Sequence, residues 1–220
     1  MRHLTLFFAI ITLLAGKASA QVQVSQEPRH HKVLDNEWVR ILDVHIPPHD
    51  TSLMHKHSTP SVFLVLSNTK TGSQVLIEPG KPSFADGNIW FEGFYDKPRV
   101  HRVWNEDTVE FHVIDMELPH PPSAGFDTAT TIPFSKRLFD AKPVRAFRVT
   151  LPAKQSFALD GVKYPMVVIG LSGPGATGVV NGKPFTKKGD YLFIPAGSPG
   201  FGISNEKGTG DVQFAVFVLK

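Results

Sequence analysis

The 220-residue chain contains no cysteine, so it can form no disulfide, no thiolate-held zinc or iron–sulfur centre, and no thiol nucleophile. Any metal it binds must be held by histidine or carboxylate side chains. Histidine is in turn missing from the last hundred residues, because all ten histidines lie at or before His120. Glycine runs the other way, with five in the first 120 residues and thirteen afterwards. A strong charge imbalance is lacking too: the formal net charge of +3 falls to +1 once Arg2 and Lys17 are set aside with the first twenty residues. That balance gives no electrostatic case for a nucleic-acid partner. Gly-x-Ser-x-Gly, Rossmann and Walker glycine patterns are also absent, which argues against a serine hydrolase elbow or a nucleotide cradle.

Long hydrophobic runs are scarce. The run from Leu4 to Ala15 is twelve residues, short of the roughly 17–25 that a spanning helix needs. With Arg2 before it and Ala18-Ser19-Ala20 after it, residues 1–20 read as a secretory signal peptide. The expected product is periplasmic or secreted, with no stable membrane span after cleavage. An exported chain without disulfides must be stabilised by a packed core, and about 200 residues are enough to build one.

What remains is β-rich. Short β-branched and aromatic runs alternate with Gly, Pro, Asn and Asp, and no helical stripe of any length appears, so the fold class is all-β. Strands are predicted over Val39–Ile46, Ser61–Leu66, Gln74–Glu78, Ile89–Glu92, Arg99–Val103 and Val109–Leu118. After a Pro-rich break at Pro119–Pro122, further strands are predicted over Val144–Leu151, Met166–Leu171, Gly178–Val180, Tyr191–Ile194 and Gln213–Leu219. Turns are expected at Asn68–Gly72, Pro79–Pro82, Asp86-Gly87-Asn88 and Asn181-Gly182. The two sets look like copies of one unit. Val39-Arg40 leading to Ile46-Pro47 is matched by Val144-Arg145 leading to Leu151-Pro152 at a shift of 105. Val65-Leu66-Ser67 pairs with Gly170-Leu171-Ser172, and Phe111-His112-Val113 with Phe214-Ala215-Val216, at shifts of 105 and 103. A fixed-shift repeat points to a duplicated β-domain.

His55-Lys56-His57 is the sharpest local signal, because alternate side chains of a strand share a face and the two imidazoles can converge while Lys56 points away. His101, in His101-Arg102-Val103-Trp104-Asn105, is the candidate third ligand, with Asn105 either capping the next turn or supporting the site. Other residues have plainer readings. His45, His49 and the His30-His31 pair suit solvated positions, and His112, in an apolar strand, suits a hydrogen-bonded core histidine. Glu78, Glu92 and Tyr95 are possible acid–base groups or a fourth ligand, and Trp90, Phe91, Phe94 and Trp104 could wall a pocket.

Pro47-Pro48 followed by His55-x-His57, then His101-x-x-x-Asn105, resembles the metal-binding half of a cupin. Gly189 through Pro195-Ala196-Gly197 is similar to the second cupin motif, so the whole chain resembles a bicupin. After the signal peptide (1–20) and a lead segment (21–35), the resemblance implies an N-terminal barrel with the metal site (36–118) and, beyond a linker (119–140), a C-terminal barrel (141–220). It departs from the family pattern in several places. The Glu expected four or five residues after the second His is replaced by Ser61 and Val62, His49 stands where a Gly is expected, and the Pro-x-Gly before His101 is missing. In the second half the expected His-x-His falls at Leu159-x-Gly161 and the third His at Gly200, so that barrel is expected to be metal-free.

The resemblance thus implies a divalent ion, Fe, Mn, Ni, Cu or Zn, on His55, His57 and His101. Three neutral imidazoles leave that ion its full +2 charge, which favours a small anionic ligand and leaves coordination positions open. Dioxygenase- or isomerase-like chemistry is one expectation and a non-catalytic binding or scaffold protein the other; no catalytic residue is assigned, and a monomer or homodimer is compatible with either.

Overall fold

The β-branched and aromatic runs form nineteen strands in the computed structural model, which describes residues 21–75, 81–82, 87–123, 125–126 and 131–220. Residues 1–20 and Glu78 lie outside that range. The first half comprises β1 Val22–Gln23, β2 His30–Asp35, β3 Arg40–Ile46, β4 His55–His57, β5 Ser61–Val65, β6 Thr71–Val75, β7 Lys81–Pro82, β8 Ile89–Glu92, β9 Arg99–Asn105 and β10 Phe111–Glu117. The second comprises β11 Ser135–Asp140, β12 Val144–Leu151, β13 Ser156–Asp160, β14 Met166–Gly170, β15 Gly178–Val180, β16 Lys183–Phe185, β17 Tyr191–Ile194, β18 Gly200–Ser204 and β19 Val212–Leu219. Among the described residues no helix is long and apolar enough to cross a membrane.

Each half folds two sheets into a jelly-roll barrel. In the first, β1-β4-β9-β6-β7 faces β2-β3-β10-β5-β8; in the second, β13-β18-β15-β16 faces β11-β12-β19-β14-β17. The sheets containing β10 and β19 then pack against each other. Strand parity explains the three resulting cores. Leu42, Val44, Ile46, Phe111 and Val113 point into the first barrel, while Ile41, Ile114, Met116 and Leu118, of the opposite parity, meet Ala146, Ile169, Ala215 and Phe217 from the second half. Central strands buried on both faces need not alternate with polar residues, which is why Val212–Leu219 is apolar almost throughout. The second barrel is filled by its own cluster, including Phe201, Phe214, Ile203 and Val168.

The strand register corrects several sequence expectations. The lead segment 21–35 is part of the first barrel, since β1 pairs with β4 and β2 with β3. The linker is shorter than 119–140, because β11 begins at Ser135 and pairs with β12. The turn proposed to end at Gly72 stops earlier, and the strand expected over Gln74–Glu78 starts at Thr71. The final repeat match is also shifted. Ile46 faces Phe111 and Leu151 faces Val212, while Val65 faces Val113 and Gly170 faces Phe214. Phe111 therefore corresponds to Val212, and Phe214 corresponds to Val113. The Asn181-Gly182 turn is as expected: both residues have positive φ, 45° and 81°, and join β15 to β16 as a two-residue hairpin.

Candidate metal centre

The two-residue period of β4 puts His55 and His57 on one face, and the antiparallel register places His101 of β9 directly opposite His55. All three are buried inside the first barrel, with relative exposures of 1%, 1% and 7%. Their rings are mutually inclined by 64–65° with centroids 4.6–5.0 Å apart. One ligand-type atom from each lies within 4.8 Å of the others, so the triad could hold one metal ion. The Nε2 atoms of His57 and His101 are 2.9 Å apart, close to the roughly 3 Å between two nitrogen donors at right angles around an ion with bonds of about 2.1 Å.

Each ring also has a partner behind it. His55 Nδ1 lies 2.8 Å from the Leu53 carbonyl, which makes Nδ1–H the donor and leaves Nε2 with its lone pair. His101 Nδ1 is 3.1 Å from Ser73 Oγ. His57 Nδ1 faces Asp115 Oδ2 at 3.4 Å, and neither that nitrogen nor either carboxylate oxygen has a hydrogen-bond partner. Outer partners of this kind orient metal-binding imidazoles and raise their basicity, so the donor set fits a divalent ion. Burial depresses all three imidazoles, His55 to about 4 and His57 and His101 well below the usual value, with neighbouring rings adding to the effect. Burial pushes the Asp115 carboxyl well above the usual range, and Glu117 reinforces it.

The triad opens on a cavity of about 40 Å³ lined by apolar residues such as Val44, Phe63 and Trp90, with His30, Glu92, Arg99 and Asp115 as further polar members. That volume takes about three water molecules at most. Phe94 stacks on His57 with centroids 5.6 Å apart, and its φ of 51° is unusual for a bulky residue. Arg99 Nη1 donates to Glu92 at 2.6 Å while its Nε is buried without a partner. His30 Nδ1 lies 2.6 Å from the Glu27 carboxylate, and the ring meets His55 edge-on at 4.7 Å.

The fold now has its comparison. No family model and no curated protein matches the sequence. Solved structures do: a cupin 2 conserved barrel domain protein from Leptotrichia buccalis superposes with a TM-score of 0.54 at 14% identity, covering 86% of this chain and 87% of its own. The fold is a cupin fold. Salicylate 1,2-dioxygenase from Pseudaminobacter salicylatoxidans shares it (TM-score 0.58, 13% identity, 83% of this chain and 71% of that one), and that enzyme has also been solved as an adduct with gentisate. AerE from Microcystis aeruginosa does so over 88% of this chain and 98% of its own, with a TM-score of 0.57 at 12% identity.

Within the cupin fold the other expected residues separate. Trp90 and Glu92 line the cavity, but Glu92 is engaged by Arg99 and by Trp90 Nε1, the latter at 3.0 Å. Phe91 packs into the interface between the barrels, Trp104 covers Gly72, and Tyr95 is 58% exposed. His31 is exposed as expected, whereas His30 is buried rather than solvated. His45 and His112 sit on the outer face of the first barrel, and His112 is half-buried against Asp43 rather than in a core. Asn105 serves the fold: its Nδ2 donates to the carbonyls of Ile46 and Val109, as Asn205 does to those of Leu151 and Gly210.

That equivalence corrects the reading of the second barrel. If Asn105 matches Asn205, His101 matches Phe201 rather than Gly200, and Phe201 faces Leu159 as His101 faces His55. The triad positions are thus Leu159, Gly161 and Phe201, three residues without a metal-ligating atom. Sequence reasoning missed Asp115, Arg99, Glu27 and the buried state of His30. Only Asp115 left a signal, an acid at the inward parity of Phe111 and Val113 in an otherwise apolar strand.

Proposed function

We propose that the chain is an exported bicupin that holds a divalent metal ion on His55, His57 and His101 and acts there on a small anionic molecule. One observation carries this reading: three buried imidazoles converge while a carbonyl, a hydroxyl and a carboxyl stand behind their Nδ1 atoms. Imidazole donors suit Fe, Mn, Ni, Cu or Zn. Such an ion supplies Lewis acidity to a bound carbonyl or water and, where redox-active, a site for oxygen chemistry. The gentisate-binding dioxygenase among the structural neighbours supports oxidation of an organic anion as the reaction class.

The chain's own residues set the rest. A divalent ion on the triad would draw the buried Asp115 carboxyl behind His57 back to its ionised form, and that charge would offset part of the +2. Arg99 adds positive charge on the cavity side, where its unpartnered Nε is available to an anionic oxygen. Glu27 fixes the His30 ring beside His55, presenting a second polar group to the ligand. Phe63 and Trp90 wall the cavity, with Phe94 packed on His57 and Phe63, and the small volume restricts entry to a compact ligand.

Oxygen uptake tests the proposal. Protein loaded anaerobically with Fe²⁺ should consume oxygen when given one class among phenolic, keto-acid and thiol anions, and His101→Ala should abolish it. Loaded protein that leaves oxygen and all three anion classes unchanged would instead support a non-catalytic binding protein.

A further inference from the structure

The outer face of the first barrel carries a second set of ligand-type side chains. Val39, just before β3, and Ile41 within it lead the interface stripe, and the next residues of that parity are Asp43 and His45. Along β10, Leu118, Met116 and Ile114 give way in the same manner to His112. The stripe therefore turns polar where the two barrels part. His112 lies directly opposite His45 in the register, and their rings stack with centroids 4.3 Å apart at 18°.

Both rings address one carboxylate. His112 Nε2 is 2.7 Å from Asp43 Oδ1 and His45 Nε2 is 3.2 Å from Asp43 Oδ2. The ligand atoms of the three residues all lie within 4.8 Å of one another. His45 Nδ1 lies 2.7 Å from Glu110 Oε1, the carboxylate–histidine arrangement that orients a ligating imidazole. The second half completes the setting. Gly189 backs His112 so closely that a Cβ there would stand 3.1 Å from the ring, and the cluster borders a groove of about 600 Å³ between the barrels. The three side chains are 19–32% exposed, so coordination positions not taken by protein would face solvent.

We propose that Asp43, His45 and His112 form a second metal site, distinct from the buried triad, for a borderline divalent ion such as Zn²⁺, Ni²⁺ or Cu²⁺. Two imidazoles and one carboxylate suit these ions, whereas Ca²⁺ and Mg²⁺ require oxygen donors. Two nitrogen atoms meeting separate oxygens of one carboxylate can admit such an ion with little movement of the strands. The equivalent positions of the second half are Arg148, Thr150 and Gln213, so the site occurs once per chain.

The test uses Zn²⁺ alone, in a His101→Ala background that removes the buried triad. Equilibrium dialysis at micromolar Zn²⁺ followed by elemental analysis should give one ion per chain fewer when His112→Ala is added to that background. Circular dichroism and the unfolding midpoint check that the fold is retained. Asp43→Asn, which keeps the side-chain shape, provides the second variant should His112→Ala disturb folding, and it should also lose one ion. Zn²⁺ content that is nil in the His101→Ala protein, or unchanged by Asp43→Asn, would overturn the proposal without bearing on the triad, which is read by comparing His101→Ala with the wild type.

Discussion

His57 is the triad member whose outer partner is a carboxyl group, and substitutions behind the three rings should differ for that reason. Asp115→Asn keeps the volume but removes the acceptor charge, and should weaken metal binding about 10- to 100-fold; competition with a chromogenic chelator would read this, and unchanged affinity would remove Asp115 from the site. Phe94 stacks on the His57 ring. Phe94→Ala forfeits an aromatic contact of about 0.5–1.5 kcal/mol, so chelator extraction of the metal should accelerate by up to about tenfold with no change in stoichiometry. Glu27 governs acid sensitivity. Burial pushes its carboxyl up, but the His30 ring and the Leu53 and Arg29 N–H groups outweigh this and hold it at about 2, against 4.5 in an unfolded chain. The folded state therefore binds fewer protons there. The resulting stability is complete above pH 4.5 and is lost as pH falls toward 2, so Glu27→Gln should flatten the decline in denaturation midpoint across that window. At this scale His55, His57 and His101 were legible as a group because strand parity and a His-x-His spacing are periodic features. Asp115 left only its inward parity as a signal, and Arg99 and the Glu27–His30 pair left none, since a single charged residue beside a strand reads as solvated until the tertiary pairing buries it.

Strands were legible where their residues are β-branched or aromatic, as with Ile89–Glu92, Val144–Leu151 and Tyr191–Ile194, whose predicted and observed limits coincide. They were missed where tertiary pairing overrides composition. β18, Gly200–Ser204, contains two glycines yet is fixed along its length against β13, and β2 lies in a stretch whose charged residues suggested solvent. Register was the least legible feature, because an apolar strand buried on both faces matches its neighbour at several offsets. The asparagine pair resolves the register in the structure and defines a test. Asn105→Ala strands the Ile46 and Val109 carbonyls and should cost about 1–3 kcal/mol, seen as a lower unfolding midpoint, with metal content per folded chain preserved. Metal loss in a folded Asn105→Ala protein would return Asn105 to the site.

Duplication and asymmetry coexist in the whole molecule. Both halves fold as cupin-type barrels and share the core between β10 and β19, so the second barrel has a structural use whether or not it binds anything. Phe217, fully buried in that shared core, links the two. Phe217→Ala should cost about 3–5 kcal/mol and lower the unfolding of the entire chain in one transition; a first barrel unfolding at its original midpoint would show the halves to be independent. The histidine-free second half follows from the register, which puts Leu159, Gly161 and Phe201 where the first barrel has its triad. The uneven histidine distribution in the sequence thus reflects one barrel with a buried imidazole triad and one with no metal-ligating side chain at the equivalent positions. Metal content per chain tests this most directly: untagged protein reconstituted anaerobically with Fe²⁺ should hold one ion more than the His101→Ala variant treated identically, and equal content in the two folded proteins would contradict a metal centre on His55, His57 and His101.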